Sequence, residues 1–329
     1  MAGASSTLLD AYVPYHGDTL AGFLGATRAP DCSAATARAL AMQSYLKARS
    51  VSGSQARFGL GCTAAIATNR ERRGTDRCHI AIQSAMRTTA VSLQMSKHMS
   101  REEQEALCAD AIICLMAEAV NLAALPLWQQ DERVSGEASG MLAPPPWAEL
   151  LAGERHCTAD THPAAVFPGA FNPMHDGHRE MLEVARAHID GPIVLEVSIR
   201  NVDKAPLDFL SMQARVDSTA GYELVFTDAP TFVEKAVIFP GATFIVGVDT
   251  ITRIAEARYY ANAKARDEAI ASMASSGNRF LVFGRIRGEA FETLDSVPLL
   301  PALRELCDGV PESAFRMDLS STELRARAT

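Results

Sequence analysis

No CxxC pair occurs in this chain, and its seven cysteines, at positions 32, 62, 78, 108, 114, 157 and 307, are scattered and odd in number. A disulfide framework or a zinc ribbon needs paired, closely spaced thiols, so both are excluded and a reducing, cytoplasmic setting is expected. Long apolar runs are also missing. The most apolar helical candidate, 106–128, is interrupted by Asp110, Glu118 and Asn121, its apolar residues recur at the roughly helical spacing of an amphipathic core helix, and the Met1 end carries no basic region leading into an apolar stretch. Neither a membrane span nor a signal peptide is therefore expected, and no membrane partner. Basic charge is in deficit: 31 Lys and Arg stand against 39 Asp and Glu, 14 against 16 over residues 1–160 and 17 against 23 beyond. Neither half reads as a polyanion binder, and no nucleic acid is expected as a partner. Internal repeats and low-complexity tracts are absent. What remains is a chain of 329 residues, 48% hydrophobic and 21% charged, which exceeds one ordinary core and suits two.

The first half reads as helix, strands and a long helix. Residues 31–48 are Ala-rich with Ser33 as N-cap; 56–66, 79–84 and 89–94 alternate as strands; Ser100, with Glu103 three residues on, opens the next helix. Between 129 and 163 come Gly136, Gly140, Pro144 to Pro146, Gly153 and Pro163, which predict a linker without a long regular element. Beyond it, strands at 164–167, 193–198, 222–226, 242–248 and 279–283 alternate with helices from His178, near 209–219, ending near Ser275, and from Thr322. That alternation predicts a doubly wound parallel sheet, whose ligands sit at the carboxyl ends of the strands. The fold class is thus α/β in both halves, divided as 1–128, 129–163 and 164–329.

The segment from Val166 to His178, VFPGAFNPMHDGH, is a strand followed by a Gly/Pro turn that opens into an amphipathic helix and ends in His-x-Gly-His. A helix N-terminus offers unpaired N–H groups and partial positive charge to a phosphate, and Gly177 leaves room for close approach. His175 and His178, three residues apart in one turn, can donate to phosphate oxygens from one face. A zinc site there would need further ligands, and no nearby Cys or carboxylate has the spacing, so no protein-held metal is expected. Near the other end, Asp318-Leu-Ser-Ser-Thr-Glu-Leu-Arg325 reads as a helix start, either as ordinary capping or as a second phosphate grip.

These residues resemble the HxGH nucleotidylyltransferase superfamily, in particular the nicotinate- and nicotinamide-mononucleotide adenylyltransferases, over about 164–329. The resemblance implies that Gly169, Phe171, Pro173, His175, Gly177 and His178 bind a triphosphate and stabilise the transferring phosphate. It further implies that Ser320, Ser321, Thr322 and Arg325 hold the β- and γ-phosphates, that Asp249 of Gly247-Val-Asp249 contacts the nucleotide, and that Lys204 is a phosphate-binding lysine. ATP would be the co-substrate, Mg²⁺ would bridge its phosphates, and a small mononucleotide would accept the adenylyl group. Two alternatives stand beside it: cytidylyl transfer to a phosphorylated small molecule, by enzymes that share HxGH but typically carry a different C-terminal loop than Ser-Ser-Thr-x-x-Arg, and a catalytically silent nucleotide-binding regulator.

Two other signals lie in the first half. Met95-Ser-Lys-His-Met-Ser100 is superficially similar to the KMSKS loop of class I aminoacyl-tRNA synthetases, but it precedes HxGH. Gly59-Leu-Gly-Cys-Thr-Ala64 imitates a dinucleotide fingerprint, with little room after it for a crossover helix. Over roughly 3–125 the chain resembles instead the C-terminal domain of the CinA family, the nicotinamide-nucleotide amidases, through Gly3 to Leu9, Val13-Pro-Tyr15, Ser33-x-x-Thr36-Ala-x-Ala39, Gly59-x-Gly61 and Gly74. The serine-bearing Ser-Cys-Thr-Gly-Gly stretch of that family has no counterpart before Gly3. A degenerate or truncated scaffold is expected, without amidase activity, through which the chain could form a homo-oligomer, with Cys62 or Thr63 the residual nucleophile candidates.

Overall fold

Alanine and glycine set how the first elements pack. The computed structural model describes residues 7–26, 31–52, 58–70, 73–200, 206–287 and 290–316, in two units: 1–152 with 200–213, and 153–199 with 214–329. After a short helix α1 (Gly17–Leu24), the first unit has α2 (Ala34–Ser52), β1 (Phe58–Ala65), β2 (Asp76–Ser84), β3 (Arg87–Met95), α3 (Arg101–Ala119), β4 (Val134–Leu142) and α4 (Pro145–Ala152). The four strands form an antiparallel meander in sequence order. Ser33 begins α2 by accepting from the Thr36 N–H at 3.2 Å. Ala37 and Ala41 of α2 then press onto β1 so closely that a Cβ on Gly59 would lie 2.1 Å from the Ala41 oxygen, and one on Gly61 2.2 Å from that of Ala37. The Gly-x-Gly pair therefore serves helix-on-strand packing rather than a phosphate. Small side chains, Ala81 and Ala90, line that face of the sheet. On the other face Ile80, Ile82, Val91 and Leu93 meet Leu107, Cys108, Ala111 and Leu115 of α3. That helix starts with the expected Ser100–Glu103 capping box.

Two differences from the sequence expectation lie here. The stretch 129–163 holds a nine-residue strand and an eight-residue helix: Gly136 does not break β4 because the Trp128 ring lies where its Cβ would be, at 2.5 Å. Pro145 and Pro146 open α4, where their missing N–H groups cost nothing. Second, residues 200–213 group with the first unit. Asp208, almost fully buried, pairs with Arg38 at 3.1 Å and accepts from Ser211. The Phe209 N–H donates to Thr88 Oγ1 at 3.0 Å.

The second unit begins with β5 (Ala165–Pro168), α5 (Asp176–Arg186) and β6 (Ile193–Ser198), continues through α6 (Phe209–Ser218), whose first residues belong to the other unit, and then β7 (Leu224–Thr227), α7 (Phe232–Ile238), β8 (Thr243–Gly247) and α8 (Val248–Ala255). After α9 (Ala263–Ser275) come β9 (Arg279–Phe283), the hairpin β10 (Arg285–Arg287) and β11 (Ala290–Glu292), α10 (Pro301–Arg304) and β12 (Cys307–Gly309). Six strands form one parallel sheet in the order β12-β9-β8-β5-β6-β7, the expected doubly wound, Rossmann-like arrangement. Val166, Val194, Val225, Phe244, Val246 and Val282 turn one face toward Ala236 of α7, Ile251 of α8, and Ile270 and Met273 of α9. The hairpin and β12 lie in a stretch where no strand was anticipated.

Candidate active site

Strand order places the site. The chain leaves β5 on both sides, toward β6 and, through the later crossover, toward β8, and this reversal opens a crevice at the carboxyl ends. The hydrogen-bonded register shows it directly. β5 pairs with β6 as far as Pro168–Glu196, and Gly169 N–H still donates to the Glu196 carbonyl at 2.9 Å. Its pairing with β8 stops at Val166–Phe244, although β8 continues beside β9 to Gly247.

The turn 169–175 borders this crevice. Phe171, buried, has φ +40°, a left-handed conformation uncommon for a non-glycine residue. Its ring folds back over Gly169, where a Cβ would come 2.6 Å from it, and stands edge-on to Phe167 (5.5 Å between centroids) and His178 (5.1 Å). The GxF part of the motif is thus a mutual fit between a missing side chain and a ring. Ser218, at the end of α6, fastens the turn: its hydroxyl accepts from the Met174 N–H at 2.7 Å and donates to the Phe171 carbonyl at 3.1 Å. No local signal marks Ser218, which lies 44 residues after Met174, and the sequence reading missed it.

His175 is the N-cap of α5, Gly177 is buried in its first turn, and His178 is the third helical residue. The two imidazoles stack at 3.7 Å, with 23° between planes. His175 N–H donates to His178 Nδ1 at 3.3 Å. Burial, then the neighbouring His175 and Arg179, push the His178 pKa down to about 3. His178 is therefore neutral near pH 7, and because Nδ1 accepts, its proton resides on Nε2. Beside it α5 begins, where first-turn N–H groups in general lack intrahelical acceptors, although that of His178 donates to the His175 carbonyl at 2.9 Å. A neutral imidazole donor on a helix N-terminus can bind an anion that acquires charge during reaction.

Across the crevice, at the end of β8, Asp249 lies in the first turn of α8 and is ion-paired with Arg285. The two line a cleft of about 290 Å³ with Thr252, Arg253, Glu256 and Arg258. Glu256 and Arg258 also pair, whereas Arg253 has no ion-pair partner among the described residues. The fold thus brings Gly169, Phe171, His175, Gly177 and His178 into one turn and the start of α5, with Asp249 in the first turn of α8 after the neighbouring strand β8. Lys204, Ser320, Ser321, Thr322 and Arg325 lie outside the described residues. No group of three His, Cys, Asp or Glu side chains among the described residues is arranged to hold a metal ion.

In the first unit, Cys62 lies within β1, half-buried, its sulfur 3.7 Å from that of the buried Cys78. Met95 to Ser100 forms the end of β3 and the cap of α3. No helix among the described residues is long and apolar enough to cross a membrane.

Residues 166–327 match the family model described as Cytidylyltransferase-like. This stretch is a cytidylyltransferase-like domain of the HxGH nucleotidyltransferase superfamily, and the match supports nucleotidyl transfer as its class of activity. No curated protein matches the chain.

Proposed function

We propose that the second unit transfers an adenylyl group from ATP to a mononucleotide, nicotinate or nicotinamide mononucleotide, with release of pyrophosphate. The observation that carries the reading is His178: a neutral imidazole, its proton on Nε2, in the first turn of a helix that opens at the crevice of a parallel sheet. In the reaction an oxygen of the acceptor phosphate attacks the α-phosphorus in line, the bond to the bridging oxygen breaks, and pyrophosphate departs with that electron pair. No covalent enzyme intermediate is needed. His178 and His175 donate to the α-phosphoryl oxygens as charge accumulates, and the first-turn N–H groups of α5 complete the cradle, with Gly169, Phe171 and Gly177 setting its shape. Lys204 and Arg325 act as charge clamps, and Ser320, Ser321 and Thr322 hold the β- and γ-phosphates, as the motif resemblance implies. Asp249 accepts from the nucleoside hydroxyls, and Arg253 offers the acceptor's phosphate a cation. Mg²⁺ would come with the triphosphate and would supply neutralisation of its phosphate charge.

The resemblance of the first unit to nicotinamide-nucleotide amidases favours a pyridine mononucleotide as acceptor, because amidase and adenylyltransferase would act in sequence on one compound. That unit is read as a scaffold without amidase activity. Cytidylyl transfer from CTP is the second reading, favoured by the description of the matching family. Pyrophosphate release, measured with ATP or CTP against a panel of mononucleotides and phosphorylated alcohols, separates them. ATP-dependent release with nicotinate or nicotinamide mononucleotide is expected. Release with CTP and a phosphorylated alcohol would establish the second reading instead, and no release with any pair would refute both.

A further inference from the structure

Strand β4 ends the sheet of the first unit, and among the described residues no strand pairs with its outer edge. An open edge presents a row of N–H and C=O groups to any passing strand, and proteins that remain single block it with proline, lysine, a bulge or a very short strand. β4 carries none of these, and its one charged residue is Glu137. It runs nine residues against β3 in unbroken register, from Met95–Val134 to Arg87–Leu142, and contains no Pro, Lys or Arg. Seven of the nine residues are exposed, so the edge is open along nearly its whole length of about 30 Å.

The order of the side chains selects the strand that fits. On the face that carries Ala138 the alternate residues are nearly symmetric about it: Gly136 and Gly140 lie two residues away, Val134 and Leu142 four, whereas Glu137 and Ser139, and Ser135 and Met141, on the other face differ. A second β4 laid antiparallel, Ala138 opposite Ala138, sets Gly136 against Gly140, Val134 against Leu142, Ser135 against Met141 and Glu137 against Ser139. No like charges lie directly opposite, the smallest residues surround the centre, and an apolar pair closes each end. Leu142, 60% exposed in the single copy, gains a partner there. A cleft of about 260 Å³, bordered by Ala138, Gly140 and Leu142 together with Val91 and Leu115, gives side chains of the added strand room on this face.

We propose that a second copy of this chain adds its β4 to this edge across a two-fold axis at Ala138, joining two four-stranded sheets into one of eight strands. Light scattering on the full-length protein should give twice the 35.3 kDa mass of the chain. Ala138→Lys, which opposes two ammonium groups on the axis, should raise the dimer dissociation constant by about 100-fold or more without altering the far-UV circular dichroism. Ala138→Cys should yield a disulfide-linked dimer on mild oxidation, since a residue on the axis faces its own counterpart. Ser135→Cys, placed opposite Met141, should remain at the wild-type background. A monomer at all concentrations, a dimer that withstands Ala138→Lys, or cross-linking through Ser135→Cys and not Ala138→Cys would each overturn the proposal.

Discussion

The imidazoles of His175 and His178 stack 3.7 Å apart, so the two rings cannot both become positively charged imidazolium without strong repulsion at that distance. The backbone bond into His178 Nδ1 resolves the choice for that ring, which stays neutral and points its single donor outward through Nε2. In the proposed transfer its role is that of a donor to developing charge rather than of an acid. His178→Ala should therefore lower kcat by about 100-fold or more with a smaller change in KM for the triphosphate, the pattern of a lost transition-state interaction. Steady-state kinetics on the folded variant checks it, and wild-type turnover would remove His178 from the mechanism.

The same burial links His178 to stability. Its pKa is about 3 in the folded protein and near 6.5 as an ordinary histidine, so the unfolded chain takes up the proton first as pH falls. The stability that comes from keeping this ring neutral is complete above about pH 6.5 and declines as pH drops from there toward 3. Urea unfolding of wild type and His178→Gln at pH 7 and pH 5 should show a larger loss for wild type over that interval. Titration by NMR should find no protonation of His178 between pH 5 and 8. Equal losses in the two proteins would mean that the ring charges freely in the folded state.

What was legible in the sequence is what is local. β6 and β9 run over the expected residues 193–198 and 279–283, because continuous apolar runs bounded by turn residues suffice to mark buried parallel strands. The strand, turn and helix around HxGH were equally readable, since their chemistry is confined to thirteen consecutive residues. Partnerships distant in sequence were not. Ser218 bonds to a turn 44 residues earlier, Arg285 pairs with Asp249 across 36 residues, and Asp208 finds Arg38 across 170. The 129–163 stretch was misread for a related reason. Gly136 looks like a breaker until Trp128 is seen to occupy the place of its side chain, and the prolines weaken a helix only away from its first turn.

A buried charge pair gives the sheet of the second unit its sharpest sensitivity. Glu196 on β6 and Lys235 on α7 are 1% and 6% exposed in their side chains and lie 2.6 Å apart. Lys235 also donates to the Ala229 carbonyl at 2.8 Å, and Thr227 donates to the same Glu196 oxygen at 2.5 Å. The second carboxylate oxygen is buried with no hydrogen-bond partner among the described residues. Attraction across such a pair offsets two desolvation penalties, so its net contribution is modest, while loss of one partner strands the other charge. Lys235→Met should accordingly destabilise the protein by about 3–5 kcal/mol, because the buried Glu196 would be left without its countercharge beneath α7. Adding Glu196→Leu to Lys235→Met should restore most of that loss, although it removes a second charged group and strands only the Thr227 hydroxyl. Glu196 contributes its backbone carbonyl to Gly169, at the start of the HxGH turn, so the single variant should also loosen the proposed nucleotide site and raise KM for the triphosphate. Denaturant melts of the two singles and the double form the cycle that measures the coupling. If Lys235→Met and the double variant are equally destabilised, the stranded carboxylate is not the cause, and loss of lysine packing would account for the effect.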